Sequence, residues 1–160
     1  MTDGIEVADS PTTAYVRVHG RATFKLAPSF RDYIVGEIDR GKHGVLVDMT
    51  DCVSVDSTFV GVLTSITLQC RRTGKGCLKL FNMSTQVQGI LATLGLARVL
   101  EIIQPHDVGA ASFQQLDPTN RDKIEVARLM FDAHETLAAL NEKNALEFKN
   151  VIDQLRSKLQ

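Results

Sequence analysis

Apolar and polar side chains alternate over residues 14–18, with Ala14, Val16 and Val18 on one side and Tyr15, Arg17 and His19 on the other. This is the period of a half-buried strand. Gly20 ends it, and residues 21–26 make a further short extended piece. Pro28 suits the first turn of a helix, and Phe30, Tyr33, Ile34 and Ile38 then recur at helical spacing. Residues 41–44 return the chain to 45–49, an apolar run rich in β-branched residues that predicts a buried strand. Residues 51–55 read as a loop. Val60, Leu63, Ile66, Thr67 and Cys70 then mark a helix to about residue 72, capped by Asp56 or Ser57. After a turn at 73–76, residues 77–81 repeat the buried-strand pattern. Ser84 or Thr85 can cap a third helix with Val87, Ile90, Leu91 and Leu94 on its apolar face, and Gly95 suits the left-handed residue past its end. Residues 98–103 predict a last short strand and 109–116 a short helix.

Strands alternating with helices through short connections imply an α/β domain, a mostly parallel sheet with helices packed against it. Two segments fall outside that alternation. Residues 1–11 carry Asp3, Glu6 and Asp9 and read as a flexible tail. Residues 117–160 form a different unit: Asp117 and Pro118 suit a helix start, and Ile124, Ala127, Phe131, His134 and Ala138 are spaced 3-4-3-4, as are Ala145, Phe148, Ile152, Leu155 and Leu159. Asn141 can cap the second of two amphipathic helices, with one long helix carrying a weak heptad seam as the alternative. These stripes predict packing against the sheet domain, against a second copy, or across the sheet.

Composition narrows the classes. The chain has 160 residues, a formal net charge of −1 and no tryptophan, which offers neither a basic footprint for nucleic acid nor a large stacking surface. No apolar stretch is long enough to cross a membrane, and the first residues lack a signal-peptide core, so the expected location is the cytoplasm. Cys52, Cys70 and Cys77 are odd in number and make no Cys-x-x-Cys pair, which predicts reduced, mostly buried thiols rather than a disulfide framework or a zinc site.

The motifs of catalysis are absent. Gly74-Lys75 is no phosphate loop, because position 69 is Gln and Gly76 stands where a hydroxyl residue should follow the lysine. His19, His43, His106 and His134 are scattered, with no metal-ligand spacing, and no histidine is placed by the sequence as a base for Ser57. Val55 and Phe59 occupy the flanking glycine positions of a nucleophile elbow. No catalytic residue, metal site or cofactor is therefore expected. What Asp56-Ser57-Thr58 does offer is a phosphoacceptor at a helix start. There, free backbone N–H groups and the helix dipole accommodate phosphate, while the surface gains about −1.5 to −2 charge units. The simpler alternative is that Ser57 and Thr58 only begin a helix.

With these residues in order, the pattern resembles the STAS domain family, and within it the bacterial anti-sigma factor antagonists. The resemblance spans about residues 12–116. It is carried by the Val-Leu-Val-Asp-Met strand at 45–49, by Val55-Asp56-Ser57-Thr58 and Gly61-Val62-Leu63, by Gly74-Lys75-Gly76, by Leu78-Lys79-Leu80-Phe81, and by residues 91–100. It implies a mixed, mostly parallel sheet of four to five strands with helices on one face. It also implies phosphorylation of Ser57, with Thr58 the less favoured hydroxyl, by an anti-sigma factor serine kinase, and reset by a PP2C-type phosphatase. The implied partner surface takes in Asp56, Ser57, Thr58, Phe59, Thr23, Asn82 and Ser84. Phe59 stands where the family commonly has Gly, Thr23 where it often has Asp, and residues 117–160 are additional, with a homodimer through the C-terminal helices as one possible use. The alternative in another class is a non-switching STAS scaffold or transporter-accessory subunit.

Overall fold

A computed structural model of the chain describes residues 2–104, 108, 111–118 and 120–160. Within them a seven-stranded sheet runs in the order β6-β5-β3-β2-β1-β7, with β4 pairing off that path to β2. The strands are β1 (Gly4–Asp9), β2 (Thr13–Ala22), β3 (Gly44–Asp48), β4 (Cys52–Val55), β5 (Leu78–Phe81), β6 (Glu101–Ile102) and β7 (Gln114–Leu116). The helices are α1 (Ala27–Asp39), α2 (Ser57–Thr73), α3 (Thr85–Thr93), α4 (Lys123–Ala138) and α5 (Glu142–Leu159). Strands β2, β3, β5 and β6 pair in parallel, and β1 is antiparallel to both β2 and β7. The fold is therefore mixed α/β with a mostly parallel sheet.

The two-residue period of β2 sorts its side chains. Ala14, Val16 and Val18 enter the core, where they join Val45, Val47 and Leu80 with Phe30 and Ile34 of α1 and Phe59 and Leu63 of α2. The opposite face of β2 carries Arg17, which ion-pairs with Glu6 and Asp48. Gly74 ends α2 in the left-handed conformation, φ 70°, and its N–H donates to Cys70 O, so the glycine of the Gly74-Lys75 pair is a helix stop.

The segment taken for a flexible tail contains strand β1. Ile5 and Ala8 are buried, and the acids that suggested a tail serve as cross-strand partners: Glu6 faces Arg17 and lies 3.3 Å from His19 Nε2, and Asp3 accepts from Arg21. Residues 52–55 are strand β4 rather than loop, because Ser54 and Val55 find parallel partners at the end of β2. Residues 114–116 are strand rather than helix, zipped to β1 at the sheet edge, while 109 and 110 of the expected short helix lie outside the described residues. These three additions raise the strand number to seven. The strand expected at 98–103 shrinks to Glu101–Ile102, since Val99 and Leu100 turn back to bond Leu96 O.

The C-terminal residues form two helices joined at Asn141, whose side chain accepts from Asn144 N and caps α5. The preceding cap is Asp122, five residues beyond the Asp117 that the sequence suggested. The two helices lie antiparallel as a hairpin against α2. Gly61 sets the spacing, since a Cβ there would sit 2.5 Å from Ala133 O. Arg121 ties the start of the hairpin to Asp32 of α1 at 2.7 Å, and Asn144 pins its other end by donating to Leu94 O and Leu137 O. Among the described residues, no helix is long and apolar enough to cross a membrane.

Candidate functional site: the first turn of α2

Parallel strands deliver their following loops to one edge of a sheet, the edge where α/β folds place function. The loop after β2 holds Thr23, the turn after β4 leads into Asp56 and Ser57, and the loop after β5 holds Asn82 and Ser84. Sheet topology therefore brings these residues to the same edge.

Asp56 fastens this edge. Its Oδ1 accepts from Phe59 N at 2.8 Å and caps α2, while its Oδ2 accepts from Phe24 N at 2.7 Å. Its own N–H donates to Ala22 O. One carboxylate thus joins the end of β2 to the start of α2, and the cap is Asp56 rather than Ser57. Thr23 shapes the same corner through its backbone carbonyl, which accepts from Leu26 and Ala27, and its hydroxyl, which accepts from Lys25 N.

The next three residues diverge. Ser57 is the first residue of α2 and is half-buried. Thr58 is only 2% exposed, and Phe59 is fully buried with its ring 4.5 Å from that of Phe30. Neither Thr58 nor Phe59 is therefore offered at the surface for a partner: Phe59 fills core where glycine would leave a hole. Asn82 takes a left-handed conformation, φ 60°, at the end of β5, and exposed Ser84 caps α3 by accepting from Val87 N. No hydrogen bond joins either of these to Ser57 among the described residues.

The partner Ser57 does have comes from the far end of the chain. Its Oγ lies 2.8 Å from His134 Nε2 of α4, and His134 Nδ1 lies 2.6 Å from Met130 O. A carbonyl oxygen only accepts, so Nδ1 carries a hydrogen, and in the neutral ring Nε2 presents its lone pair to the serine hydroxyl. His134 is 3% exposed and meets Phe148 of α5 edge-on at 5.3 Å between ring centroids. The sequence offered no histidine positioned for Ser57, and the fold brings His134 to it as a hydrogen-bond partner. The sequence placed His134 on an apolar helical stripe, which is where it lies. What it could not give is that the stripe faces the helix carrying Ser57.

One side of Ser57 opens on a cleft of about 300 Å³, lined by Ile90, Thr93, Leu94, Glu147 and Phe148. Its walls are largely apolar, with one carboxylate. Among the described residues no cluster of three potential ligands could hold a metal ion. The cysteines are unpaired, and burial raises the thiol pKa values of Cys52 and Cys70.

Fold and site together define an α/β module with a half-buried serine hydroxyl at a helix start, beside the aspartate that caps the helix. The chain belongs to the STAS domain family: the family model described as "Mlab, STAS domain" matches residues 5–104. Solved structures share the fold. A putative anti-sigma factor antagonist from Thermotoga maritima aligns with a TM-score of 0.55 at 19% identity, covering 62% of this chain and 85% of its own. The anti-sigma factor antagonist SpoIIAA in its unphosphorylated form aligns with a TM-score of 0.56 at 16% identity, covering 64% and 89%. An anti-sigma factor antagonist from Mycobacterium paratuberculosis gives 0.52 at 14% identity, covering 66% and 87%. The comparison with curated proteins gave no match.

Proposed function

We propose that this protein is a non-enzymatic regulatory binding module, an anti-sigma factor antagonist switched by phosphorylation of Ser57. The observation that carries the reading is the state of the first turn of α2, where Ser57 alone of the Ser-Thr-Phe run keeps its side chain off the core. Unmodified, the edge around Ser57 binds a kinase-type anti-sigma factor and so frees a sigma factor. The kinase transfers the γ-phosphoryl of its ATP to Oγ. The O–P bond forms, the bond to ADP breaks, and the hydroxyl proton passes to the kinase's base. A PP2C-type phosphatase resets the protein by hydrolysis. The fold tolerates the new group because Asp56, not Ser57, caps the helix. The partner is expelled because a charge of about −1.5 to −2 now sits at the contact beside the Asp56 carboxylate. SpoIIAA has been solved in a phosphorylated form on this same fold, which supports the reading by analogy.

The Ser57–His134 pair does not change this class. The imidazole is oriented by a backbone carbonyl rather than a carboxylate, and the helices that supply it also cover the serine. The same contact favours a second reading, a constitutive STAS subunit in which the hydroxyl serves only to seat α4. Tagged Ser57→Ala and Ser57→Asp proteins expressed in their own cells separate the two. The switch requires Ser57→Ala to retain the kinase-class partner and Ser57→Asp to lose it; equal recovery contradicts the switch.

A further inference from the structure

We infer that the α4–α5 hairpin is an intramolecular occupant of the Ser57 face, held by the unmodified hydroxyl and released when Ser57 carries phosphate. The inference rests on the switch reading for its biological use, though the coupling itself is a property of this fold. The hairpin places Leu137, Phe148 and Ile152 in the core, and three contacts in a row set its seat on α2. Ser57, Gly61 and Ser65 stand four residues apart on one side of α2 and meet His134, Ala133 and Thr136 of α4. Ser65 Oγ and Thr136 Oγ1 are 2.8 Å apart, and Gly61 admits the α4 backbone where any Cβ would clash.

Phosphate has no place in this arrangement. His134 Nε2 already sits at hydrogen-bond distance from Oγ, in the space a phosphorus atom and its oxygens would need. The ring cannot swing aside in place, since Nδ1 is held by Met130 O and the imidazole is packed on Phe148. Ser57 does open on the cleft walled by Ile90, Leu94 and Phe148, but there a phosphate would lose hydration and face the Glu147 carboxylate. Steric exclusion, desolvation and the Glu147 carboxylate act against the docked hairpin, opposed by the His134 imidazole where it is protonated, whereas the sheet and the Asp56 cap are untouched. Hairpin and trans partner therefore compete for one unmodified surface, and phosphate rejects both.

The test uses the full-length protein with phosphoserine incorporated at position 57 during translation, compared with the unmodified protein by amide hydrogen exchange. Exchange in α4 and α5 is expected to quicken by about tenfold or more, the factor that corresponds to 1.4 kcal/mol of lost docking, while β2, β3 and β5 keep their protection. Unchanged protection of α4 and α5 in the phosphorylated protein overturns the inference. A second measurement needs no phosphate. In full-length Ser57→Cys, the thiol at position 57 is labelled with a bulky maleimide and followed by peptide mapping, with and without Ala133→Leu. The added side chain at 133 meets the α2 backbone at Gly61 and should lift the hairpin, raising the labelling rate at position 57 by about tenfold or more. An equal rate in the two backgrounds overturns the occlusion. Neither assay involves a kinase or an anti-sigma factor, so absence of a natural phosphate sinks the switch reading without touching the coupling, and unchanged exchange sinks the coupling without touching the switch.

Discussion

Helix α2 meets the rest of the molecule along two faces built from different residues. Toward the sheet it presents Phe59, Leu63 and Ile66, large apolar side chains that are 0–3% exposed. Toward α4 it presents Ser57, Gly61 and Ser65, whose contacts are two hydrogen bonds and one close approach of backbone. The first face is held by hydrophobic area, which is non-directional and scales with the surface removed from water. The second also has apolar residues beside it, since Ala133, Leu137, Phe148 and Ile152 of the hairpin join the core, but along these three residues it depends on fit and on particular polar atoms. A contact of the first kind is lost only when the domain unfolds. A polar contact of the second kind can be weakened by changing one atom, which is what a regulatory modification does.

Substitutions on the two faces should therefore differ in kind. The largest effect is expected for Phe59→Ala, which opens a cavity against Phe30 and should cost about 3–5 kcal/mol of global stability in urea unfolding. A loss below about 1 kcal/mol, the range typical of surface changes, would place Phe59 outside the core and undo the contrast. Ser57→Ala removes the only donor facing His134 Nε2 among the described residues and should weaken hairpin docking by about 1–3 kcal/mol. Hydrogen exchange should show the loss in α4 and leave β3 unchanged; a uniform loss across the sheet would make the second face as structural as the first. Asp56→Ala removes the cap and the tie to Phe24, and should cost about 0.5–2 kcal/mol, read as a shift in the unfolding midpoint. The smallest global effect belongs to Gly61→Ala. Alanine raises helix propensity by about 1 kcal/mol, yet its methyl group displaces α4. The sheet domain should keep its midpoint while protection of α4 falls.

The first face was legible in the sequence and the second was not, and the reason is physical. Apolar residues at helical spacing announce a buried face wherever they occur, so Val60, Leu63 and Ile66 located α2 and the run at 45–49 located the strand before it. Ser57, Gly61 and Ser65 repeat every four residues, but small residues mark close packing only once the opposing helix is known. The same holds for His134, whose place on an apolar stripe was evident and whose partner, 77 residues away in sequence, was not. Strand β1 was hidden by Asp3, Glu6 and Asp9, because acids read as solvent-facing until Arg17, Arg21 and Lys42 are found opposite them. Strands β4 and β7 are too short to show a period; they exist through pairing with β2 and β1. Of the residues expected at the partner surface, Asp56 and Ser57 came from local logic, the cap and the first helical position. Phe59 could not be judged from spacing alone, since a helix covered on two sides has no outward face in its first turns.

The central claim is that Ser57 carries phosphate in the living cell, and intact-mass measurement with peptide mapping tests it most directly. The protein is isolated from its own cells across growth and stress conditions, with full coverage of residues 45–71. A phosphorylated fraction, mapped to Ser57, that changes with condition is the expected result. A hydroxyl at Ser57 that stays unmodified in every condition would contradict it, and would leave Ser57 as the seat of a permanently docked hairpin.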